Sequence, residues 1–182
     1  MKRALFLDRD GIVDELVFYE SSGEWEAPRR VDDVRMIEGA SGALQRFADA
    51  GWLLFFVTNQ PNVAKGKAAR EDVEAVHDAV IRKLVVPIAR SYLCFHQADD
   101  RCECRKPSPY FLNEAAREFD VDLSRSWMVG DQDSDLKAGR AAGCKVALIE
   151  HPGSEHKRGE IVPDVVVGDL RELAGVLLSD ER

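Results

Sequence analysis

The sequence predicts a doubly wound α/β domain, a parallel sheet with helices on both faces. Three observations carry that expectation. Six short apolar runs bounded by polar or turn residues, "ALFL", "LLFFVT", "SYLCF", "WMVG", "KVALIE" and "DVVVG", read as buried strands. Stretches with helical spacing of apolar residues lie between them. Two of these stretches close on a glycine, a common helix stop. Strands that alternate with helices build a parallel sheet covered on both sides, and such sheets bind ligands at the carboxyl ends of their strands.

Taken in order, "ALFL" is the first strand, and it ends at Asp8. From Gly11 to Gly39 no clear period appears; a loop this long in a compact domain is usually functional, and it reads as a flap over the strand ends. A helix follows from Ala40 to Ala50, closed by Gly51, then the strand "LLFFVT" and a helix from Arg70 to Ala89. "SYLCF" leads into "CFHQADDRCECRKP", and Pro109 suits the start of a helix that runs to Phe119. After "WMVG" comes a helix from Asp133 to Ala142 closed by Gly143. "KVALIE", the polar loop "EHPGSEHKRGE" and "DVVVG" precede a last helix from Leu170 to Leu178. His151 and His156 are expected to be exposed in that loop, His77 to be an ordinary helix residue, and Cys144 a small core residue. The three tryptophans read as packing or flap residues.

The chain has 182 residues, 45% hydrophobic and 32% charged, which suits a single domain over residues 1–182 with a full core. A net charge of -8 disfavours nucleic acid as a partner, since that binding calls for a basic face. The apolar run after "MKR" is too short for a secretory signal, and no stretch is long enough to span a membrane, so the expected location is cytoplasmic. Thiols stay reduced there, and clustered cysteines point to a metal rather than a disulfide.

Polar residues gather after the strands: Asp8 and Asp10 in "LFLDRDG", Thr58, Asn59 and Gln60 in "FFVTNQ", Arg105 and Lys106 in "CRKP", Asp131 and Asp135 in "MVGDQDSD". This ordered set resembles the haloacid dehalogenase superfamily of phosphotransferases. Within it, "LDRDG", "VTNQ" and the C-x-H-x5-C-x-C-R-K-P segment look like the small zinc-containing histidinol-phosphate and heptose-bisphosphate phosphatases. The resemblance implies a Rossmann-like core and a magnesium-dependent phosphatase acting on a small phosphorylated metabolite. Asp8 would be the nucleophile that forms an aspartyl-phosphate, and Asp10 the acid and then the base. Asp8, Asp131 and the main-chain carbonyl of Asp10 would hold Mg²⁺, with Asp135 supporting that shell. Thr58 and Lys106 would stabilise the phosphoryl oxygens, and Asn59, Gln60 and Arg105 would meet the substrate. Cys94, His96, Cys102 and Cys104 offer a closed tetrahedral set for a structural Zn²⁺ that stiffens the loop aiming Arg105 and Lys106.

The spacing between motifs leaves no room for a cap domain, so a capless domain is expected; separately, the expected state is a monomer. Two segments depart from the heptose-bisphosphate pattern: "DGIVDE" where those enzymes commonly read D-G-T-I-N, and "TNQPNVAKG" where they read T-N-Q-S-G-I-A-R-G. The leading reading is a heptose-bisphosphate phosphatase. A histidinol-phosphate phosphatase and a catalytically vestigial phosphosugar-binding protein are the alternatives.

Overall fold

The computed structural model describes residues 1–179. Its strands are β1 (Ala4–Leu7), β2 (Val17–Tyr19), β3 (Glu24–Glu26), β4 (Leu53–Asn59), β5 (Ile88–Cys94), β6 (Trp127–Gly130), β7 (Lys145–Ile149) and β8 (Val165–Val167). The helices are α1 (Ala40–Asp49), α2 (Arg70–Leu84), α3 (Tyr110–Phe119), α4 (Asp133–Ala142) and α5 (Leu170–Ser179). Six strands form one sheet in the order β5-β4-β1-β6-β7-β8, with every pairing parallel.

β1 lies inside the sheet because its four side chains are all apolar and feed both layers. Leu5 and Leu7 join Leu54, Phe56 and Val129 against α1, α2 and α5. Ala4 and Phe6 join Phe55, Val57 and Met128 against α3 and α4. This alternation is the period of two that a strand requires, and it fixes which helices cover which face. The chain runs outward from β1 to β4 and β5, then returns to the other side of β1 for β6, β7 and β8. Reversal of direction beside β1 opens a crevice at the carboxyl ends of β1, β4 and β6.

The structure differs from the sequence reading in three places. The helix expected to reach Ala89 ends at Leu84, where Val85 adopts a left-handed conformation (φ 53°) and strand β5 begins at Ile88. Pro87 is the physical reason: it has no amide hydrogen to donate and disfavours helical geometry in the residue before it. The aperiodic segment from Gly11 to Gly39 contains an antiparallel hairpin, with Phe18 opposite Trp25. His151, expected to be exposed, is largely covered: its Nδ1 accepts from the Gly153 amide (3.1 Å) and its Nε2 lies 3.3 Å from Glu15.

Candidate active site

Three carboxylates converge at the crevice because three pieces of backbone end there. Asp8 follows β1, Asp131 follows β6, and Asp135 lies in the first turn of α4; each places an oxygen within 4.8 Å of the others. Two glycines make the approach possible. A Cβ on Gly130 would lie 2.2 Å from an Asp135 oxygen, and one on Gly11, which also has φ +80°, would lie 2.9 Å from an Asp131 oxygen.

Burial and the neighbouring Asp135 and Asp8 push Asp131 up to about 8, and both of its oxygens are buried without a hydrogen-bond partner among the described residues. Burial also raises Asp135, to about 6, against the pull of Lys106. Lys106 is the counter-charge: its Nζ lies 2.7 Å from Asp135 and 3.1 Å from Asp8, and donates to the Val57 carbonyl (2.6 Å). Burial works against the ammonium, but Asp135 and Asp8 hold its pKa above the ordinary lysine value. One cation among three buried carboxylates leaves negative charge unbalanced. Hard oxygen donors with orphaned lone pairs fit a magnesium ion.

Asp10 turns toward a different set of partners. Arg9, fully buried, donates from Nη2 (2.7 Å) and Nε (3.2 Å) to one oxygen of Asp10, and Gln60 donates to the other (2.6 Å). The same Gln60 amide reaches the Thr58 hydroxyl (3.0 Å). Asn59 exchanges two hydrogen bonds with the Lys106 backbone, both 3.1 Å, and so ties the end of β4 to the lysine. Asn59 lines the crevice. Gln60 lies behind it, buried, with its amide nitrogen committed to Asp10 and Thr58.

The cysteine segment also comes together. Cys104 Sγ lies 3.2 Å from Cys94 and 3.7 Å from Cys102, Cys94 and Cys102 are 3.7 Å apart, and His96 Nδ1 is 3.6 Å from both Cys94 and Cys104. The sulfur-to-sulfur edges of a tetrahedron with zinc at its centre are roughly 3.8 Å, given Zn–S bonds of about 2.3 Å. The donor set therefore fits zinc. Burial and the Cys104 thiol push Cys94 up to about 12, whereas at Cys102 the opposing effect of burial is outweighed by backbone and thiol hydrogen bonds, which lower it. The Arg105 guanidinium donates to the His96 carbonyl (3.1 Å), joining this loop to the crevice wall.

The cavity over the carboxylates measures about 310 Å³. Its walls include residues that sequence reading did not select: Lys65 after β4, Lys157 after β7, and Glu24 and Trp25 on the hairpin. Arg9 and Asp14 were also missed. Asp14 is fully buried 3.7 Å from Arg9 Nε, and burial together with Asp10 raises it well above the usual carboxylate range. A charged residue inside an apolar run, as Arg9 is in "LFLDRDGIV", was the available signal.

Residues 103–173 match the profile of a HAD-hydrolase-like family. The chain is 33% identical over 183 residues to the D-glycero-beta-D-manno-heptose-1,7-bisphosphate 7-phosphatase of Pseudomonas aeruginosa, covering 96% of this chain and 97% of that enzyme. To the enzyme of the same name from Bordetella bronchiseptica it is 35% identical over 153 residues, covering 81% and 80%. The crystal structure of the D,D-heptose 1,7-bisphosphate phosphatase from B. bronchiseptica, complexed with magnesium and phosphate, superposes with a TM-score of 0.85 at 31% identity, over 99% of each chain. Likeness that runs the length of the chain, joined to carboxylates and lysine gathered at one end of the sheet, places this phosphatase in the heptose-bisphosphate phosphatase family of HAD-like hydrolases.

Proposed function

We propose that the chain hydrolyses D-glycero-D-manno-heptose 1,7-bisphosphate through an aspartyl-phosphate on Asp8, as a cytoplasmic monomer. The observation that carries the reading is Lys106 held between Asp8 and Asp135 on the floor of a cavity that also admits Asp10. An Asp8 oxygen attacks phosphorus while the bond to the ester oxygen breaks, and Asp10 gives that oxygen its proton. Water then attacks the acyl phosphate with Asp10 as base, releasing phosphate and restoring Asp8. Arg9 and Gln60 fix the orientation of Asp10; Lys106 meets the phosphoryl oxygens, and the Thr58 hydroxyl, buried and accepting from Gln60, keeps its own proton to donate toward them. Asp8, Asp131 and the Asp10 carbonyl would hold magnesium, which would supply further neutralising charge. Zinc at Cys94, His96, Cys102 and Cys104 is structural in this reading and keeps Arg105 and Lys106 aimed.

The walls favour a bisphosphate over histidinol phosphate. Lys65, Arg105 and Lys157 offer cations to a second phosphate, whereas of the two hairpin carboxylates Glu26 is already paired with Lys67 (2.6 Å) and Arg29 (3.0 Å). Side-by-side kinetics test this. The expected kcat/KM for the heptose bisphosphate is at least about tenfold above that for histidinol phosphate, and Asp8→Asn loses about three orders of magnitude or more on both. A preference for histidinol phosphate would remove the substrate assignment. Substantial turnover by Asp8→Asn would remove the covalent mechanism.

A further inference from the structure

Trp25 is the only aromatic side chain lining the cavity among the described residues, and it is 45% exposed. The other two tryptophans are core residues, Trp52 at 5% and Trp127 at 8%. A half-exposed indole needs a reason. Pairing with Phe18 across the hairpin does not supply one: the rings are in tilted contact at 5.6 Å, yet Trp25 and Phe18 (49%) both remain about half exposed.

The indole is nevertheless fixed. Its Cβ and Cγ sit over Gly153, where a Cβ would come within 3.1 Å and 3.0 Å of them and within 3.1 Å of Leu16. The hairpin that carries it is tied down through Glu26, which accepts from Ser22 (2.6 Å), Arg29 and Lys67. Tyr19 adds a second tie: its hydroxyl donates to Asp33 (2.9 Å) and accepts from the Arg29 amide (2.8 Å). A large flat apolar surface is thus held rigid in a cavity whose floor is charged.

We infer that Trp25 is a substrate-binding residue whose indole face receives the C–H face of a cyclic sugar phosphate, while the phosphate lies on the floor beside Asp8 and Lys106. The inference rests on the phosphatase reading of the cavity. A pyranose ring has one face made largely of C–H groups and a rim of hydroxyls, so a rigid indole covers the first while the polar walls meet the second. The arrangement costs little ordering on binding, because the hairpin contacts hold the indole before substrate arrives. An acyclic phosphate has no such face to offer.

Two measurements test it. In the wild-type protein, acrylamide quenching of tryptophan fluorescence reports mainly on Trp25, since Trp52 and Trp127 are buried. Mannose 6-phosphate is expected to protect the quenchable fraction, whereas glycerol 3-phosphate and inorganic phosphate do not. Equal protection by all three, or by none, overturns the inference. In Trp25→Ala, the ratio of kcat/KM for the heptose bisphosphate to that for acetyl phosphate is expected to fall at least threefold, chiefly through KM, with partial recovery in Trp25→Phe. A smaller fall overturns it. If the wild-type protein fails to hydrolyse the heptose bisphosphate at all, the substrate reading fails instead, and the quenching result still decides the role of Trp25.

Discussion

His77 shows how a single residue can work against the fold that contains it. It is buried in α2 with its ring edge-on to Phe56, and neither nitrogen finds a partner among the described residues. Burial, aided by the nearby Arg9 charge, pushes it down to about 4. The unfolded chain takes the proton below about 6.5 while the folded chain refuses it, so stability is lost as pH falls from there toward 4, by up to about 1.4 kcal/mol per pH unit. His77→Leu is expected to match or exceed the wild-type Tm at pH 7.5, and its advantage should widen between pH 6.5 and 4; thermal melts across that range check it. In the sequence His77 reads as an ordinary helix residue, because nothing in local spacing reports an unmet nitrogen. The gathering of Asp8, Asp10, Lys106, Asp131 and Asp135 is legible in the sequence, since Asp8 and Asp131 directly follow buried strands, Asp10 lies in the turn after β1, Asp135 in the first turn of α4, and Lys106 in the loop before α3. The orientation of Gln60 is not: whether its amide faces the cavity or Asp10 depends on a contact 50 residues away in sequence.

The hairpin of β2 and β3 is held more by charge than by a core. Burial opposes ionisation of Glu26, but hydrogen bonds from Lys67, Ser22 and Arg29 outweigh it and bring Glu26 down to about 2. Its stabilisation is therefore complete above the ordinary value of 4.5 and is lost as pH falls through about 2. Glu26→Gln is expected to increase proteolytic cutting at the Glu20–Gly23 turn at neutral pH, with the difference from wild type shrinking as pH drops from 4.5 toward 2. In the sequence no apolar period marks this segment, because its strands are short, largely solvent-facing and bracketed by charged residues. The clustering of Cys94, His96, Cys102 and Cys104 is legible for the opposite reason: the four donors lie within 11 residues, too close to be core spacing. Elemental analysis of protein purified without added metal is expected to find about one zinc per chain, and Cys102→Ser should lose it. Absence of zinc in the wild-type protein would remove that assignment.

At the scale of the molecule, the metal-free chain carries a penalty that depends on pH. Asp131 and Asp135 hold protons up to about 8 and about 6, whereas in the unfolded chain they ionise near 3.8. Stability from this cluster therefore declines as pH rises through that window, and a bound cation removes the decline. The rise in Tm on adding millimolar magnesium is expected to be larger at pH 8 than at pH 5.5; a flat increment would show that the carboxylates do not share a metal. The placement of β1 inside the sheet also bears on how the chain is made. Its two neighbours are β4 and β6, and the Ala4 amide bonds Ser126, 122 residues downstream. On a ribosome adding about 5 to 20 residues per second, that gap lasts roughly 6 to 25 s. For all of it the edge of β1 that β6 will cover has unpaired backbone groups and its apolar side chains lack half their layer, so the nascent chain should engage holdase chaperones until β6 appears.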